Sequence, residues 1–134
     1  MATPVCRILV PEALEQAFLL VAALLESAGL FIANPASKRI TTWTDDGEQK
    51  DVPGTTVIRE VTSGSVRNIQ FWKNMGEDVF VSWEERLDGC MFSIFLDGVD
   101  SDLAVTLIGS FTKLVLTTFR VRYHEGAVVT IAFE

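Results

Sequence analysis

The chain has one histidine, His124, two cysteines, and eleven basic residues against eighteen acidic ones in 134 positions. Each shortage removes a class of function. With one histidine there can be no His-rich metal site, and acid–base chemistry near neutral pH would rest on that imidazole alone. Cys6 and Cys90 are far apart and form no CxxC pair. Cys90 lies in an apolar run where a reduced thiol behaves as a small hydrophobe, which fits a reducing, cytoplasmic setting. The shortage of bases gives a formal charge of −7. That field repels nucleic-acid phosphates and anionic membrane, so neither is an expected partner, and it attracts basic protein surfaces. Plain solubility is the more modest use of the same charge.

Long apolar runs are missing too. Residues 17–25, AFLLVAALL, are too few to span a bilayer, and Glu12 and Glu15 precede them where a signal sequence carries bases. No G-x-S-x-G, Walker A loop, G-x-G-x-x-G or HExxH occurs, so the common hydrolase and nucleotide-binding signatures are absent and no cofactor is expected.

What is present is a globular balance, long enough for one hydrophobic core, and we expect a single domain over 1–134. Pro11, Glu12 and Glu15 at one end and Gly29 at the other predict a helix over about 11–28. Its core stripe is Leu14, Ala17, Phe18, Val21, Leu25 and Ala28, widened by Leu19, Leu20 and Leu24. So wide a stripe implies cover on a second side by other elements, or a homodimer contact. Short β-branched and aromatic runs follow at 30–33, 39–44, 55–62 and 65–72. Ser63-Gly64 would join the last two as a hairpin, setting Glu60 opposite Arg67 and Ile58 opposite Ile69. The segment 44–54, TDDGEQKDVPG, has the composition of a solvated loop.

Two further strands, DVFVSW and CMFSIFL, flank Glu84-Glu85-Arg86-Leu87-Asp88-Gly89, and apolar residues on both faces of the second predict a central strand covered on both sides. Asp100 or Ser101 can cap a second helix reaching about Leu116. The segment after it reads as a hairpin about Glu125-Gly126. The order predicts an α+β fold: a mainly antiparallel sheet of about seven or eight strands, an N-terminal helix, and a second helix before a C-terminal hairpin.

The candidate chemistry is sparse. Glu84, Glu85 and Asp88 could pair as acid and base only if burial separated their pKa values, and a tight turn is a poor place for burial. Asp97, Asp100 and Asp102 lack the spacing of a calcium loop and fit helix capping. His124 reads as a solvated turn residue. No catalytic, cofactor or metal residue is therefore assigned. The acidic sets Asp45, Asp46, Glu48, Asp51 and Glu84, Glu85, Asp88, with Trp43 as an aromatic anchor, are the candidate partner-binding residues.

In architecture, with TTWTDDGEQKD and SWEERLDG as its acidic loop set, the chain resembles the immunity proteins with which bacteria neutralise their own polymorphic or contact-dependent toxins. The resemblance implies a non-enzymatic inhibitor that occludes a basic toxin or enzyme. The alternative is a small-molecule binding domain or an enzyme, with Trp72, Trp83, Phe92 and Phe95 lining a pocket on a curved sheet.

Overall fold

The computed structural model describes residues 2–134, and its first element is a strand ahead of the N-terminal helix, where the sequence predicts none. β1, Pro4–Val10, carries apolar side chains on both faces and lies between two other strands. Such a run lacks clean alternation and is hard to tell from a leader to the following helix. α1 is Leu14–Ser27, shorter at its start than Pro11 implied, and Gly29 in the left-handed region (φ +87°) ends it. The Leu30 amide then reaches back to the Leu25 carbonyl at 2.9 Å, closing the last turn.

β2 (Ile40–Trp43) forms where a strand is expected, at 39–44, and pairs as a hairpin with β3 (Gln49–Val52), a strand that lies inside the expected loop 44–54. Gln49, Lys50 and Asp51 hid that strand because an edge strand needs no apolar alternation and is protected by charge. Residues 30–33 contribute only isolated bridges, Phe31 to Trp72 and Ala33 to Ile40.

The expected strand at 55–62 is a helix, α2, Val57–Ser63. Val57 and Val61 sit on one face at i, i+4 and are buried in the core, which outweighs the β preference of Thr, Val and Ile. Gly64 at φ +85° is its C-cap rather than a hairpin turn, so Glu60 does not face Arg67 and Ile58 does not face Ile69. Glu60 accepts instead from the Thr56 hydroxyl at 2.8 Å.

β4 (Asn68–Asn74), β5 (Glu77–Arg86) and β6 (Gly89–Phe95) form a meander. α3, Ser101–Leu116, is capped by Asp100, whose carboxylate accepts from the Leu103 amide at 2.8 Å. The expected C-terminal hairpin is not formed. Phe119 is buried, a short 3-10 turn spans Arg120–Arg122, and only β7, Val129–Phe133, is extended.

The seven strands make one antiparallel sheet in the order β3-β2-β4-β5-β6-β1-β7, so the fold is α+β. Register separates its faces. Cys6, Ile8, Val10, Cys90, Phe92, Ile94, Val81, Ile69 and Phe71 share one face and join the inner sides of all three helices in the core. Phe18 of α1 meets Trp83 edge to face, with ring centroids 5.3 Å apart. α1 packs against both α2 and α3; Leu20 and Leu24 of its wide apolar stripe are part-buried against the core, whereas Leu19 stays 49 % exposed. The other face has no helix on it, so β6 is central but covered on one side only. There Val5 is fully buried beside Phe95 while Phe80, Met91 and Phe95 stay half-exposed.

Candidate functional site

Because every neighbouring pair is antiparallel, β1, β2 and β5 all run the same way. Their C-terminal ends therefore meet at one end of the sheet. That end carries the β2–β3 tip (44–48), the β5–β6 turn (Leu87 and Asp88), the entry to α1 (Pro11 to Ala13) and the segment leading into β7. The topology thus brings Asp45, Asp46 and Glu48 to the same end as Glu84, Glu85 and Asp88. β4 lies between the two hairpins, so the clusters are about 10 Å apart across the strands.

Asp51 is not part of this group. It pairs with Thr41 in the register, further down β3, and accepts from Arg39 at 2.8 Å. Asp45 is bound to Arg67 in an exposed pair. Such surface pairs contribute about 0–1 kcal/mol, but they neutralise charge locally. Asp46, Glu48, Glu84, Glu85 and Asp88 have no salt-bridge partner among the described residues. All are exposed.

Glu84 and Glu85 belong to β5, not to a turn. Alternation therefore sends them to opposite faces: Glu84 lies opposite Met91 on the open face, Glu85 opposite Cys90 on the helix side. They cannot share a proton as a dyad. The negative charge of Glu85, after burial itself, pushes the Cys90 thiol pKa up.

Trp43 stands beside the acidic tip, held in place and 37 % exposed. Its backbone amide donates to the Asn68 side-chain oxygen at 2.8 Å, and the Asn68 amide donates back to the Trp43 carbonyl at 2.9 Å. The indole N–H donates to Gln70 at 3.2 Å, and Gln70 donates to Asp78 at 2.7 Å. This network fixes an amphipathic ring at the rim of the open face, where an interface anchor would stand.

A cleft of about 790 Å³ lies at the same end, between the start of α1, the β5–β6 turn and the segment 122–128. Arg122 spans it, donating to Glu12 at 2.5 Å and to the Pro11 carbonyl. Tyr123 donates its hydroxyl to the Leu9 carbonyl at 2.7 Å, and burial raises its pKa against the opposing effect of Arg122. His124, Glu125 and Asp88 line the rim and are exposed. Among the described residues no group of three His, Cys, Asp or Glu side chains is placed to hold a metal ion. The contact of Arg122 with Pro11 and Glu12 bridges 110 residues of sequence and left no local signal.

The four aromatics considered for a sheet pocket do not share one. Trp83 and Phe92 face the helices and pack together at 6.0 Å, whereas Trp72 and Phe95 lie on the open face. Phe95 meets Phe80 there, centroids 5.6 Å apart. Register turns this face into cross-strand rows. Gln70, Phe80, Phe95, Val5 and Ala132 form one; Asn68, Ser82, Ser93, Arg7 and Thr130 form the next, towards the acidic end.

No family model, curated protein or solved structure matches this chain.

Proposed function

We propose that the protein is a non-catalytic recognition domain whose acidic end binds a basic protein, most simply as an immunity-type inhibitor that occludes a toxin or enzyme. The convergence of the 44–48 tip and the β5–β6 hairpin at one end of the sheet carries this reading. Unpaired, exposed carboxylates raise the rate of encounter with a cationic surface, and a seven-stranded sheet holds them with little loss of entropy on binding. Trp43 supplies apolar contact beside the charge, and the half-exposed Phe80 and Phe95 extend it. Splayed, solvated acids suit attraction better than proton transfer.

The test begins with basic proteins encoded beside this chain, mixed with it at low and high salt. We expect one of them to bind, with association slowing roughly tenfold or more when Asp46, Glu48, Glu84 and Asp88 are changed together to lysine. Binding that ignores both the substitutions and salt would overturn the proposal.

A second reading rests on the cleft, whose volume falls within the ordinary range for small-molecule sites. Its lining of Arg86, Arg122, His124 and Glu125 would select a polar ligand. A thermal-shift screen of polar metabolites, repeated on Arg122→Ala, separates this reading from the first, because Asp46→Lys and Glu48→Lys, at the 44–48 tip and outside the cleft, would leave such a ligand's binding unchanged.

A further inference from the structure

The two edges of the sheet are built differently. β3 ends it on one side with Gln49, Lys50 and Asp51, the usual protection against edge-to-edge pairing. β7 ends it on the other with Val129, Thr130, Ile131, Ala132 and Phe133, uncharged throughout. Ile131 is 53 % and Phe133 70 % exposed.

The free hydrogen-bonding groups of β7 follow from its pairing with β1. Glu134 and Thr3 exchange both backbone bonds, at 2.7 and 2.9 Å. In an antiparallel ladder this alternates, so Ala132 and Thr130 also point their N–H and C=O towards β1. Val129, Ile131 and Phe133 therefore direct theirs outward. Register also puts their side chains on the helix side of the sheet.

We propose that β7 pairs antiparallel with β7 of a second copy of this chain, about a two-fold axis at Ile131. That register sets Ile131 against its twin and Phe133 against the copy's Val129, so all outward N–H and C=O groups of the three residues are satisfied reciprocally and each large ring meets a smaller side chain. Two molecules of −7 repel, but β7 carries no charge and the antiparallel two-fold sets the two acidic ends at opposite ends of the joint sheet, so this is the edge at which a copy meets least repulsion. Glu134 does not oppose the contact, because its carboxylate is engaged by Arg7 on the other face. The assembly closes at two, since the remaining edge, β3, is charged. A five-residue strand pair with one phenylalanine and one isoleucine per side lies at the low end of interface sizes, so a weak, reversible dimer is expected. This inference goes beyond the proposed function and does not rest on it.

Sedimentation velocity over a wide concentration range should show reversible dimerisation, and amide exchange should show Val129, Ile131 and Phe133 protected at high concentration and exposed on dilution, while Thr130 and Ala132 stay protected throughout. Ile131→Lys, which sets like charges face to face, should weaken the dimer by roughly tenfold or more with an unchanged melting temperature. Met75→Lys, at a site 60 % exposed in the β4–β5 turn and several strands from β7, should leave it intact. A monomer at every concentration, a dimer unaffected by Ile131→Lys, or outward amides that exchange freely in the wild-type dimer would each overturn the proposal; the last measurement holds even if the lysine variant fails to fold.

Discussion

Gly89 turns the β5–β6 hairpin at φ +140°, where a side chain is strained, and it lies against the end of β1, the strand beside β6. A Cβ there would clash with the Val10 carbonyl oxygen and lie 2.8 Å from Pro11 Cα, both backbone atoms that cannot swing aside. Gly109 is the opposite case, exposed in the middle of α3 with nothing within 4 Å of an added Cβ. Gly89→Ala should therefore destabilise by about 2–4 kcal/mol, and Gly109→Ala should stabilise by about 0.5–1 kcal/mol. Urea unfolding of both variants checks the pair, and equal midpoints would contradict the packing at Gly89. The turn at Gly89 is legible in the sequence as the end of an acidic knot. Its contact with Val10 is not, because nothing local says that β1 pairs alongside β6.

At the scale of elements, what could be read from the sequence depended on whether one face was apolar and the other polar. α1, α3 and the strands β4 and β5 announce themselves by period and by caps such as Asp100, while β6, apolar on both faces, is marked instead by its aromatic content and by Gly89 and Gly98 on either side. β1 fails because both faces are apolar, and β3 because neither is. α2 fails for a third reason: its β-branched residues suggest a strand, and only the burial of Val57 and Val61 shows the helical spacing to be real. Val61→Thr tests this directly, since it keeps size and β preference while adding a hydroxyl. On a wet strand it would be close to neutral. At a position 1 % exposed in the core it should cost about 1–3 kcal/mol, read as a shift in the urea midpoint.

For the whole molecule, the candidate residues were legible but their assembly was not. Composition marks Asp45, Asp46, Glu48, Glu84, Glu85 and Asp88; only the strand order brings them to one end and leaves Asp51 aside with Arg39. The same core that sets this order also sets the response to alkali. Cys6, fully buried in β1, has its thiol pKa raised to about 11 from 9.0 by burial, and burial raises those of Cys90 and Tyr123 as well. Above about pH 9 the unfolded chain releases a thiol proton that the folded chain retains, so stability is complete below that pH and falls as pH rises towards 11. For Cys6 alone the slope is about 1.4 kcal/mol per pH unit, and Cys90 and Tyr123 add loss of the same sign. The urea midpoint should therefore drop clearly between about pH 8 and pH 10.5, and Cys6→Ala, though less stable at neutral pH, should show a shallower drop. A wild-type midpoint that stays level across that window would mean that the Cys6 side of the sheet is open to water, and with it the packing of the helices over β1 would have to be redrawn.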